Sequence, residues 1–98
     1  MQARELLANQ VTYLKYLLAS HPDQVPAENL RPTYITLQQL GDDDLPVTTM
    51  DTVYRLRHTL ETWLTHPRSV GASTVQEVIQ VLHEALTGLG QANPPQYA

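Results

Sequence analysis

The four histidines are the residues of this sequence best suited to metal or acid–base chemistry, because imidazole binds metals and exchanges protons near neutral pH. His58 is followed three positions later by Glu61, and His83 is followed directly by Glu84. Carboxylate-bridged metal sites in helical bundles use the order Glu-x-x-His on two helices, with a further Glu from each of two others. That order does not occur here. The sequence therefore predicts no metal site and no cofactor.

The other two histidines, His21 and His66, each precede a proline where a helix is expected to end. A protonated imidazole at a helix C-terminus faces the negative end of the helix dipole and can bond the last carbonyls. This structural role accounts for both residues without any chemistry.

Nucleophilic catalysis needs a Ser, Thr or Cys beside a base, and Ser69 and Ser73 lie near His66 in the sequence. Ser73 is better explained as a helix cap, because Gln76 follows it in a capping-box pattern. There is no Gly-x-Ser-x-Gly turn and no glycine-rich phosphate loop, and cysteine is absent. We therefore expect no enzymatic activity.

Three consecutive aspartates at positions 42–44 are the densest charge cluster. A calcium-binding EF-hand loop needs a central Gly and a terminal Glu at fixed spacing, and neither follows. The cluster is interpreted as a solvated turn.

The composition favours a small soluble globular protein. The chain has 98 residues, of which 42% are hydrophobic and 16% charged, and its net charge is −4. This length suits one domain, which we place at residues 1–90, followed by a disordered, proline-containing tail at 91–98. The N-terminus lacks the pattern of a secretory signal, and no apolar run is long enough to cross a membrane. A cytoplasmic location is therefore expected.

Helical periodicity occurs in four segments. The first is predicted at residues 2–20 and carries two adjacent apolar stripes. The second is predicted at residues 32–40, after a single turn at 26–30, with Gly41 as a left-handed C-cap. Although Tyr34-Ile35-Thr36 is a β-prone run, one strand would have no partner here.

The third helix is predicted at residues 49–65, with Thr48 and Asp51 as a capping box. The fourth is predicted to begin after the Ser73 cap and to end at Gly88 and Gly90. The predicted fold is all-α, a small four-helix domain built as two antiparallel helical hairpins.

The two halves resemble each other at an offset of 45 positions. His21, Pro22, Val25 and Ala27 then align with the following residues of the second half: His66, Pro67, Val70 and Ala72. This spacing is typical of paired-helix repeats. Chance is the alternative explanation, because helix ends commonly share this chemistry.

The second stripe of the first helix, formed by Leu6, Tyr13 and Leu17, is the predicted protein interface. It is exposed unless that helix lies centrally, and exposed apolar strips usually mark interfaces. The sequence thus favours a non-catalytic protein–protein interaction module, such as an adaptor, assembly factor or inhibitor, that forms a homodimer through this strip.

The alternative function is a dimeric DNA-binding transcriptional regulator that uses its second helical pair. A recognition helix exposes Arg, Lys, Asn or Gln near its N-terminus. The fourth helix instead contains Glu77, which would repel phosphate, and Arg55 and Arg57 are the only closely spaced basic residues. This pattern disfavours nucleic-acid binding.

Overall fold

The structure, a computed structural model, describes residues 3–41, 43–66 and 69–91. Its elements in chain order are α1 (Ala3–Ser20), β1 (Gln24–Pro26), a 3₁₀ turn (Ala27–Leu30), α2 (Arg31–Gln38), α3 (Val47–Thr65), β2 (Ser69–Gly71) and α4 (Ala72–Gln91). The predicted all-α fold class is confirmed. The β-prone run at 34–36 is helical, as predicted. Most of the predicted tail, residues 92–98, lies outside the described residues.

The helices pack as two interleaved helix–strand–helix halves. Within the described residues, α1 and α4 share the most extensive helix–helix contact, and α3 contacts both α2 and α4. α1 ends just before β1, α4 begins just after β2, and these strands pair. The helices α1 and α4 therefore run antiparallel.

The buried side chains form one apolar cluster to which every helix contributes. The stripes predicted on α1 and α4 are part of it: Leu7, Val11 and Leu14 on α1, and Val75, Ile79 and Leu82 on α4 are buried. On α3 the buried residues recur with helical spacing, at Met50, Val53, Leu56, Leu60 and Leu64. The apolar periodicity of the sequence therefore located the core correctly.

The predicted N-terminal capping boxes are not observed. α3 begins at Val47, directly after Pro46, and no side chain caps it. Thr48 thus lies in the first turn, and its presumed partner Asp51 pairs with Arg55. Pro46 explains the earlier start, because proline lacks an N–H and its fixed φ suits a helix entrance. α4 begins at Ala72, so Ser73 lies within its first turn instead of preceding it.

The predicted glycine terminators were also wrong. No glycine among the described residues has positive φ, so Gly41 is not a left-handed cap. α4 continues through Gly88 and Gly90 to Gln91. A Cβ on Gly88 would lie 3.1 Å from the Thr49 hydroxyl oxygen. The missing side chain at position 88 therefore serves close packing of α4 on α3.

The two strands, β1 and β2, were not predicted from the sequence. They form a short antiparallel ladder in which Val25 lies opposite Val70. These are the residues that the offset of 45 positions aligns. Equivalent positions of the two halves therefore face one another at the centre of the ladder.

Burial follows the same offset beyond the strands. From position 24 onward, the buried positions of the first half that have buried equivalents are Val25, Leu30, Thr33, Leu37 and Leu40. Their equivalents in the second half are Val70, Val75, Val78, Leu82 and Ala85. The segments 24–40 and 69–85 thus share a pattern of burial, which is the relation that the repeat hypothesis predicts, although residues 27–30 form a 3₁₀ turn and their equivalents are α-helical. Their common origin stays a hypothesis.

Candidate protein-binding surface

The strip predicted as the interface does not form an exposed surface. Leu17 is only 5% exposed and belongs to the core. Leu6 and Tyr13 are half-buried and pack against that core. The Tyr13 hydroxyl donates a hydrogen bond to the carbonyl oxygen of Asn29, at 2.8 Å. Because α1 contacts α2, β1 and α4, it lies centrally, and both of its apolar stripes face other parts of the domain.

The large exposed apolar side chains lie elsewhere. Among the described residues they are Tyr16 on α1, Ile35 on α2, and Val47 and Tyr54 on α3. Val47 and Tyr54 are seven positions apart, which is close to two helical turns and places them on one face. Tyr16 and Ile35 each stand alone on their helices, as scattered surface residues often do.

Val47 and Tyr54 line an open pocket of about 300 Å³ together with Met50 and Asp51. We call these four residues the α3 surface. Val47 is 85% exposed and Tyr54 46%, whereas Met50 is buried. Methionine is flexible and polarizable, and it adapts to differently shaped neighbours. The α3 surface therefore has an apolar rim, an adaptable base and one carboxylate.

Charged groups flank the α3 surface in an ordered way. Toward the N-terminal side lie the exposed Asp43 and Asp44 of the preceding turn, and the Asp44 carboxylate accepts a hydrogen bond from the Gly41 amide at 2.8 Å. Toward the C-terminal side lie Arg55, which pairs with Asp51, and Arg57. Along the chain, acidic groups of the turn thus precede the surface, and basic groups of α3 follow it.

The Arg57 guanidinium lies over the Tyr54 ring, 5.2 Å from its centroid. A cation over a tyrosine face is attracted by the ring quadrupole. This contact fixes the guanidinium next to the apolar rim. Tyr54 also makes a further interaction.

The grooves beside α3 offer less for recognition. The groove between α3 and α4 is lined by Thr52, Thr59 and Glu84, among others. The two threonine hydroxyls donate to carbonyls of their own helix, at 3.3 and 3.1 Å. They are therefore already satisfied without a ligand.

A second shallow pocket is lined by His58, Glu61, Thr62, Thr65 and His66. Among the residues that the structure describes, no group of three or more metal-ligating side chains is placed to hold an ion. His83 is exposed on α4 and His21 is half-buried at the end of α1. The two histidines of this pocket thus lie at the C-terminal end of α3, His58 within the helix and His66 directly after it, and the other two lie on different elements.

One surface pair shows a clear electrostatic effect. A hydrogen bond from Arg31 lowers the pKa of the Glu28 carboxyl, and the same contact raises the pKa of Arg31. Both groups are exposed. A catalytic acid or base is typically shifted by burial in a cleft, and this pair sits on the surface of the 3₁₀ turn and α2. It resembles an ordinary surface ion pair.

The outer face of α4 is acidic and polar. Its exposed residues include Gln76, Glu77, Gln80 and Glu84. A DNA-recognition helix needs positive charge to meet phosphates, and this face carries negative charge. The second helical pair is also joined through β2, with α4 packed against α1. These observations favour a surface other than α4 for recognition.

Sequence reasoning missed Val47 and Tyr54 because it looked for apolar residues that continue a stripe. Both lie off the α3 stripe formed by Val53, Leu56 and Leu60. An apolar side chain outside the stripe of its own helix is the pattern that could have revealed them. The prediction also began the helix after Val47, which hid its alignment with Tyr54.

Within the described part of the chain, no helix has the length and apolar character required to cross a bilayer. Comparison with protein-family models, with curated proteins and with solved structures finds no match to this chain.

Proposed function

We propose that this chain is a non-catalytic protein-interaction module, acting as an adaptor, assembly factor or inhibitor through the α3 surface. The observation that carries the proposal is the exposure of Val47 and Tyr54 on one face, above the buried Met50. Aromatic residues and methionine are enriched at protein interfaces. A tyrosine supplies a large apolar area together with a polar tip.

The geometry of the α3 surface suits a protein partner better than a small molecule. Ligand pockets usually enclose most of their ligand and bring several polar groups to converge on it. Here the pocket is open, and among the described residues that line it Asp51 alone is charged. A flat apolar rim with charges on either side is the arrangement expected of an interface core and its polar edge.

The proposal is tested by photo-crosslinking in cells that naturally produce the chain. A photoreactive phenylalanine analogue replaces Val47, whose exposed side chain tolerates the change. A matched control carries the analogue at Thr12, which is exposed on α1. We expect position 47 to give a discrete protein adduct that position 12 does not give. Equal, diffuse labelling at both positions would contradict the proposal.

A further inference from the structure

We propose that the α3 surface binds the same surface of a second copy of this chain, with the two α3 helices antiparallel about a two-fold axis. The inference rests on the proposed function and names the partner. Its basis is that the apolar residues and the charges of this surface are arranged to complement themselves. A two-fold interface requires this, because both copies use the same surface. Each contact between a residue of one copy and a residue of the other is therefore repeated in the opposite direction.

The apolar part is self-complementary when the axis passes between Met50 and Asp51. Val47 and Tyr54 are equally far along the chain from that midpoint. In an antiparallel pair they therefore face each other twice, Val47 of each copy packing on Tyr54 of the other. A β-branched aliphatic against an aromatic ring makes an apolar contact at both ends of the pocket, and Met50 adapts to fill the centre.

The charged part is self-complementary about the same axis. Asp44 and Arg57 are also equally far from the midpoint. The pairing brings the acidic turn of Asp43 and Asp44 toward Arg57 of the second copy, and the contact is repeated by symmetry. Complementary charges of this kind fix the register and steer association.

The one unfavourable element is Asp51, which lies next to the axis and meets its own counterpart. Each Asp51 carboxylate is paired with Arg55 of the same helix. That pairing reduces the repulsion between the two carboxylates.

The expected dimer is weak, because a single helical face buries less than the roughly 800 Å² per partner of a stable interface. We expect a dissociation constant on the order of tens to hundreds of micromolar. Association should weaken further at high salt, since the flanking charges are exposed and therefore screened.

The test is sedimentation equilibrium of the whole chain up to about 1 mM, with each variant first checked for folding by circular dichroism. Val47→Glu places charge at the exposed rim without disturbing the core, and we expect it to raise the dissociation constant by at least about tenfold. Thr12→Glu adds the same charge on α1 and should leave association unchanged.

Charge reversal provides the register test. Arg57→Glu and Asp44→Lys should each weaken association, and the double variant should recover most of it. If the double variant is folded but does not recover association, the proposed register is wrong. A wild-type chain that is monomeric at about 1 mM, or a Val47→Glu variant that associates as well as wild type, would overturn the self-association itself. If the chain stays monomeric while position 47 crosslinks to a different protein, the proposed function stands and this inference fails.

Discussion

Thr33 provides the most informative test of how the two halves are built. Its side chain is fully buried in α2. Its hydroxyl donates a 2.7 Å hydrogen bond to the Gln10 side-chain oxygen of α1. The equivalent position in the second half, 45 residues later, is the buried Val78. The two residues have nearly the same shape, so Thr33→Val should fit without a cavity and remove only the hydrogen bond.

The expected loss follows from the state of Gln10. A typical hydrogen bond contributes a net of about 0.5–1.5 kcal/mol, and more is lost when the remaining partner is buried and unsatisfied. Gln10 is half-buried, and its amide nitrogen also donates to the Thr36 hydroxyl at 3.2 Å. It can therefore still reach water. We expect Thr33→Val to lower the free energy of unfolding by about 1 kcal/mol, a decrease in Tm of roughly 4–8 °C.

The reverse change, Val78→Thr, is the matched control. It buries a hydroxyl at the equivalent site, where no Gln10 counterpart receives it, and should cost about 1–3 kcal/mol. A double-mutant cycle of Gln10→Met and Thr33→Val isolates the coupling between the two side chains. Denaturant or thermal unfolding measures each variant. If Thr33→Val is as stable as wild type and the cycle shows no coupling, the polar contact between α1 and α2 does not stabilise the fold.

Three further outcomes are expected. Leu82→Ala should destabilise the domain by roughly 2–5 kcal/mol, because Leu82 is buried at the centre of α4. A thermal melt that is unchanged within about 1 °C would show that Leu82 does not contribute to the core. Thr59→Ala should stabilise the domain by a few tenths of a kcal/mol, because alanine has the higher helix propensity. The exposed Thr59 hydroxyl bonds only a backbone carbonyl of its own helix among the contacts described. The measurement is the midpoint of urea unfolding, which should increase. Arg31→Gln should return the pKa of Glu28 toward its ordinary value in an NMR titration, because Arg31 is what lowers it. Because the pKa of Glu28 is lower in the folded state than in the unfolded state, the pair stabilises the fold at pH values above the unfolded-state pKa. This stabilisation is lost as the pH falls through the folded-state pKa. If the Glu28 titration curve is unchanged in the Arg31→Gln variant, the contact with Arg31 is not the cause of the lowered pKa.

The internal resemblance was visible in the sequence at only four positions, and the structure extends it. Leu30 and Val75, or Leu40 and Ala85, differ in identity but occupy equally buried positions. Packing constrains burial more tightly than it constrains residue type. Two segments can therefore keep the same pattern of burial although few of their residues are identical. The sequence suggested the repeat hypothesis, but only the structure showed which further positions correspond.

The sequence by itself determined the four helices and most of the core. Apolar residues at helical spacing, as in Leu7, Val11 and Leu14, place one face in the interior regardless of what covers it. Proline at position 22 limited where the first helix ends, because its effect on the backbone is local.

The tertiary structure decided what depends on residues distant in the chain. Val25 and Val70 form a strand pair only because the two halves meet there, and Gly88 lies where α4 closely approaches Thr49 of α3. The same holds for the candidate site. Leu17 is buried because three elements surround α1, whereas Val47 stays exposed at the start of α3. Both are aliphatic residues within helices, and only the packing of the neighbouring elements separates a core position from a surface that a partner can reach.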